Sequence, residues 1–133
     1  MTTKIRSTSD LVRVFSKRFN PFVIADIENG MGPYSLICHT GRKTGQAYRT
    51  PVDATFLGDF ALITLPYGLR SDWLKNVLTS GSCEILHRNQ TFTATHPQVL
   101  PEAEAKKLCP PGTKVAHIKD FLRLEINPAR IEK

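Results

Sequence analysis

The residues best equipped for chemistry lie together in one short stretch, Thr40-Gly41-Arg42-Lys43-Thr44-Gly45-Gln46. Such a stretch can hold an anion. Glycines let backbone N–H groups approach an oxyanion, threonine hydroxyls donate to it, and Arg42, Lys43 and the nearby Arg49 add charge-assisted hydrogen bonds. It is not a P-loop, because the Gly-x-x-x-x-Gly-Lys spacing is absent and no helix follows. Composition alone equally allows an ordinary polar hairpin whose cations face water.

The other reactive side chains form no recognisable constellation. Tyr34, Tyr67 and His39 are the candidates for a proton donor, although isolated tyrosines and histidines more often serve packing. His87, His96 and His117 lack metal-ligand spacing, so no metal site is expected. No carboxylate pair or Ser-His-Asp arrangement stands out, which argues against a hydrolase. Cys38, Cys83 and Cys109 are odd in number and widely spaced, and they read as reduced thiols.

The turn must be positioned by the strands around it. Tyr34 to His39 and Tyr48 to Leu57, rich in Thr, Val and aromatics, flank it as strands. Gly58-Asp59 separates them from a buried strand at Phe60–Leu65, giving an antiparallel meander. Pro66 to Arg70 has turn chemistry, and a helix follows from Ser71 to Leu78, with Ser71 as its cap, Asp72 in its first turn and Gly81 closing it. Cys83–His87 and Thr91–Leu100 form a hairpin around Arg88-Asn89-Gln90. A solvated helix spans Pro101 to Leu108, and Phe121–Ile126 alternates like a strand with one wet face. At the start, Leu11, Val12, Phe15 and Phe19 recur at helical spacing among Arg13, Lys17 and Arg18, predicting a basic amphipathic helix over 9–19. It would serve as a lid over the core or as a peripheral membrane contact.

Short strands without a βαβ rhythm predict a mainly β protein, a small antiparallel barrel with accessory helices. A length of 133 residues suits a single domain over 1–133. A formal charge of +6 points to anionic partners. No nucleic-acid-binding motif accompanies it. With neither a membrane-spanning run nor a secretory signal, a cytoplasmic protein is expected.

The run Leu36 to Gly45, followed by Arg49-Thr50-Pro51-Val52 and then Ser71-Asp72-Trp73-Leu74-Lys75-Asn76-Val77, resembles the deazaflavin-dependent nitroreductase family over roughly half the chain, Tyr34 to Leu100. Members typically show Thr-Gly-Arg-Lys-Ser-Gly, a nearby arginine and proline, a glycine-containing loop, and Trp-x-x-Asn on the following helix. The resemblance implies a split β-barrel of the FMN-binding type with about six antiparallel strands. It implies coenzyme F420 as cofactor and hydride transfer from the reduced deazaflavin to an electron-poor acceptor such as a quinone or nitroaromatic. Residue by residue, it implies that Arg42 and Lys43 meet the tail phosphate or glutamates, that Thr44 donates a hydroxyl, and that Arg49 adds a cation. Pro66, Tyr67, Gly68 and Leu69 match the loop that cradles phosphate and ring. Trp73 and Asn76 match Trp-x-x-Asn, the tryptophan packing the helix on the barrel.

The chain departs from the pattern twice. Tyr48 stands where many members carry an arginine, and the Pro66 loop offers only Arg70 where a lysine is common. FMN as cofactor, an FMN-binding oxidoreductase of the same fold and a non-catalytic flavin or deazaflavin carrier therefore stay open. Related split barrels favour a homodimer.

Overall fold

A computed structural model of the chain describes residues 21–127; the helix expected over 9–19 lies outside them. Seven strands form one antiparallel sheet: β1 (Ser35–Thr40), β2 (Ala47–Val52), β3 (Ala54–Leu57), β4 (Phe60–Thr64), β5 (Ser82–His87), β6 (Gln90–Pro101) and β7 (Asp120–Ile126). Their spatial order is β2-β1-β5-β6-β7-β4-β3. Only Asp53 separates β2 from β3, so the two outermost strands are halves of one continuous strand, and the sheet curls into a split barrel of the expected class.

Two corners make this closure possible. At Asp53 the chain leaves β1, its partner from Ala47 to Val52, and joins β4, its partner from Ala54 to Leu57. The Asp53 carbonyl then accepts from the Thr64 N–H. On the other side β6 pairs with β5 up to Thr95 and with β7 beyond, and its register shifts between Thr95 and Gln98. His96 there has φ 55°, a bulge conformation that redirects the strand. The Tyr48–Leu57 segment, read from sequence as one strand, is therefore two ladders joined at a bend.

The sheet's alternation fills the inside. Ile37, Ile63, Ile85, Leu122 and Leu124 are fully buried in one cluster, with Leu74 and Val77 closing it from helix α2 (Asp72–Ser80). Outside, Leu62 and Phe121 are covered by helix α3 (Glu102–Leu108) through Ala105, together with Ile118. Leu36 is covered by helix α1 (Pro21–Glu28) through Ile24 and Ile27.

Local chemistry explains the ends of these elements. The helix α1, absent from the sequence reading, begins at a proline, whose missing N–H is no loss in a first turn. It ends in a Schellman motif: Gly30 N–H donates to Ile27 O and Met31 N–H to Asp26 O, with Gly30 at φ 78°. Helix α2 starts after Ser71 as expected, but the Ser71 hydroxyl makes no capping hydrogen bond. Gly81, at φ 78°, closes the helix through its N–H to Val77 O. Arg88 and Asn89 both have positive φ and make the two-residue turn between β5 and β6.

Leu74 is the residue through which α2 seals the barrel. Leu74→Ala is expected to cost about 2–5 kcal/mol in urea unfolding, the range for a fully buried leucine. Leu78→Ala, on the exposed side of the same helix, should stay within about 0.5 kcal/mol.

Candidate functional site

The Thr40–Gln46 turn closes on itself before it meets anything else. Gly41 N–H donates to Gln46 O at 2.8 Å and Gly45 N–H to Gly41 O at 2.9 Å. Thr44 Oγ1 accepts from the Gln46 N–H at 3.2 Å and lies 3.4 Å from the Tyr48 hydroxyl, which donates to Gln46 Oε1 at 3.0 Å. The Thr44 hydroxyl is thus turned into the loop rather than out towards a ligand. A Cβ at Gly41 would stand 2.7 Å from Thr44 Oγ1 and 2.9 Å from the Tyr48 ring, so only glycine fits there without displacing them.

Arg42 ties the turn to α2. Its backbone N–H donates to Asn76 Oδ1 at 3.1 Å, and its Nη1 donates to the same oxygen at 2.8 Å. Its Nη2 pairs with Asp72 Oδ1 at 3.2 Å. Asn76 is only 4% exposed, so its amide must find partners inside the protein. Two donors on one side fix the oxygen there, leaving Nδ2 to donate to His39 Nδ1 at 3.0 Å. His39 then carries its proton on Nε2, which donates to Thr50 Oγ1 at 3.0 Å. Burial lowers the His39 pKa, which matches this neutral tautomer. The Tyr48 ring stacks on the imidazole at 5.7 Å between centroids.

Strand alternation sorts the remaining expected residues. His39, Tyr48 and Thr50 share the inward side of the β1–β2 ladder, which places Arg49 on the outward side, where it pairs with Glu28 of α1. The structure does not bring Arg49 to the Arg42 turn. Tyr34 is buried with Ile27 and Leu36 under α1, away from His39, so this candidate proton donor is not at the mouth either. His39 is at the mouth but has both ring nitrogens in hydrogen bonds, a positioning arrangement rather than a proton donor's.

Pro66, Tyr67, Gly68 and Leu69 lead into α2 beside Asp72 through a single 3-10 turn (Gly68–Arg70). The Gly68 N–H donates to Leu65 O, so that amide holds the loop's own shape. Tyr67 and Leu69 are 42% and 52% exposed. Trp73 packs half-buried against the barrel interior, as its expected structural role requires. Lys43 is exposed and makes no ion pair among the described residues. The sequence reading missed Tyr48, Thr50 and Asp72 as parts of this assembly.

The basic character of the chain is unevenly placed. Residues 21–127 hold eleven Lys and Arg against ten Asp and Glu, a net +1 of the whole chain's +6, whereas residues 1–20 hold five cations and one carboxylate. Among the described residues no three His, Cys, Asp or Glu converge as metal ligands, and no helix is long and apolar enough to cross a membrane. Burial pushes the Cys83 thiol up to about 12, which leaves it inert.

Two outcomes follow for stability. Arg42→Ala removes a charged donor from a buried acceptor and should cost about 1–3 kcal/mol, whereas Lys43→Ala should be near neutral, both read by urea unfolding. Burial depresses the pKa of His87 as well as that of His39, so both favour the neutral form when folded. Stability should therefore be fully present above pH 6.5 and decline as the pH falls through the lower folded-state values, measured as the unfolding midpoint against pH.

No protein-family model matches the sequence, and no curated protein matches it. Solved structures do match the fold. An F420-H2 dependent reductase (FDR-A) superposes with a TM-score of 0.51 at 18% identity, over 70% of this chain and 94% of that one. A structure described as a domain-swapped dimer gives 0.52 at 17% identity, over 88% and 98%. An F420 reductase gives 0.50 at 10% identity, over 80% and 94%. At such identities the shared property is the backbone architecture, and the chain has the split-barrel fold found in F420-dependent reductases.

Proposed function

We propose that this chain is an F420-dependent reductase that passes hydride from the reduced deazaflavin to an electron-poor acceptor such as a quinone or a nitroaromatic. The observation that carries the reading is the Arg42–Asn76 tie. It holds a glycine-bearing turn firmly against α2 while leaving Lys43 in solvent, and α2 itself begins at a loop that exposes Tyr67 and Leu69. The two solved structures described as F420 reductases share this fold and support the assignment.

The residues present fit such a cofactor. Gly45 and Gly68 have φ of 74° and 67°, and a Cβ on either would meet nothing within 4 Å, so their backbones are open to close approach. Lys43 would hold the phosphate, and Tyr67 and Leu69 would offer apolar surface to the ring. Bound there, the reduced deazaflavin supplies the hydride. The chain's part is to hold donor and acceptor about 3–3.5 Å apart and exclude water, a task of position and electrostatics. The domain-swapped dimer among the structures of this fold supports a homodimer.

One observation favours FMN as a second reading of the cofactor. Two of the three cations assigned to a polyanionic tail are already paired, Arg42 with Asp72 and Arg49 with Glu28. A flavin with one phosphate asks for less.

Fluorescence titration of the purified protein with F420 and, in parallel, with FMN tests both. Saturable binding is expected, and Lys43→Ala should weaken it about tenfold, the worth of one charge-assisted hydrogen bond. Unchanged affinity in Lys43→Ala would remove that residue from the site. Oxidation of the reduced cofactor by a quinone or a nitroaromatic separates a reductase from a carrier.

A further inference from the structure

The chain of contacts from Thr50 through His39 and Asn76 to Arg42 has only one consistent arrangement of protons. Arg42 presents two N–H donors, so Asn76 must present its oxygen to them. The amide's other end is then a donor, and His39 Nδ1 must accept. With its proton on Nε2, the imidazole donates to Thr50. Each member fixes the next, and the last member is the turn assigned to the cofactor.

We propose that His39 is a positioning residue for the Thr40–Gln46 turn, holding it through Asn76 when the imidazole is neutral and releasing it when the imidazole is protonated. A proton on Nδ1 sets an N–H against the Asn76 Nδ2 donor. The amide relieves the conflict by turning over and offering Oδ1 to the imidazolium. Nδ2 then faces the Arg42 N–H and guanidinium, donor against donor, and both hydrogen bonds that pin the turn are lost. Arg42 keeps only its contacts with exposed Asp72.

Burial favours the neutral form of His39, moving the imidazole below its ordinary value of 6.5, and among the described residues no anion faces the ring to offset it. The turn contributes the Arg42 guanidinium, and β2 contributes Tyr48 and Thr50, neither of them anionic. The neighbouring β5 contributes Cys83, whose thiol stays protonated. Helix α2 contributes Asn76, with the exposed Lys75 and Asp72 beyond it, and Asp72 is engaged by Arg42. The turn is held at neutral pH and released on acidification. This rests on the turn being the cofactor's anion site as far as binding is concerned, but not as far as the release itself is concerned.

The test follows the full chain by NMR from about pH 7.5 to about pH 4.5, the range over which a depressed histidine titrates. The Arg42 amide resonance is expected to move with the His39 imidazole, at one midpoint below 6.5. His39→Gln can satisfy Asn76 at every pH and should leave the Arg42 amide still. Asn76→Asp, with two acceptor oxygens, should hold Arg42 whichever form His39 takes. Affinity for FMN and for F420 should fall about tenfold across the same midpoint in the unmodified chain and stay level in both variants. An Arg42 amide that ignores the His39 titration would overturn the inference, as would an acid loss of affinity that persists unchanged in both variants. Movement of the amide with no change in ligand affinity would uphold the release and overturn the cofactor role of the turn.

Discussion

A buried side-chain amide has two donors and an acceptor oxygen to satisfy, and leaving them without partners costs about 1–3 kcal/mol. Asn76 meets the acceptor and one donor of that demand by joining three elements that are far apart in sequence: its own helix α2, strand β1 through His39, and the turn through Arg42. The orientation of the amide sets the tautomer of the histidine, and the bond to Arg42 sets the pose of the turn. The rest of the mouth is arranged around this amide. Tyr48 stacks on the ring that Asn76 orients, and Lys43 projects from the loop that Asn76 anchors.

The barrel supplies a frame stiff enough for such a junction. Because β2/β3 and β6 each change partners midway, a few short strands enclose a full interior, and no separate edge strand is needed at the join. The interior has two distinct ends. At one, α2 and His39 form the polar mouth. At the other, Ser35 Oγ meets His87 Nδ1 at 2.8 Å, and the Phe56 ring packs at a tilt against His87 and Phe92. Substitutions in the middle act on stability alone, whereas those beside Asn76 act on the pose of the turn as well.

Sequence patterns were enough to find most strands, both helices after residue 70 and the glycine that closes α2, because these depend on local alternation and on turn chemistry. The bend at Asp53 was not legible. A strand that changes partners needs no glycine or proline, and the cause lies in β1 and β4 rather than in the strand itself. Helix α1 had local signals in Pro21, in the Ile24 and Ile27 spacing and in Gly30, but an eight-residue helix offers little periodicity. The motif is visible in the sequence, but the separate roles of its cations are not. Alternation alone separates Arg49 from Tyr48 and Thr50. That Glu28 would claim Arg49, and Asp72 and Asn76 would claim Arg42, depends on contacts across 21, 30 and 34 positions of the chain. Tyr48, the departure from the pattern that the sequence resembles, covers the histidine.

The near balance of charge in residues 21–127 separates two kinetic tasks. A body with eleven cations and ten anions projects little net potential beyond the screening length of about 8 Å at physiological ionic strength. In the proposed reading, retaining a bound anion depends on short-range contacts at the turn, with Lys43 foremost. Long-range attraction of an anion comes mainly from residues 1–20, with five cations against one carboxylate. In the proposed reading, capture and retention of the cofactor therefore reside in different parts of the chain. Removing charge from its beginning would slow association and make it less sensitive to salt, while the rate of escape would stay a property of the turn.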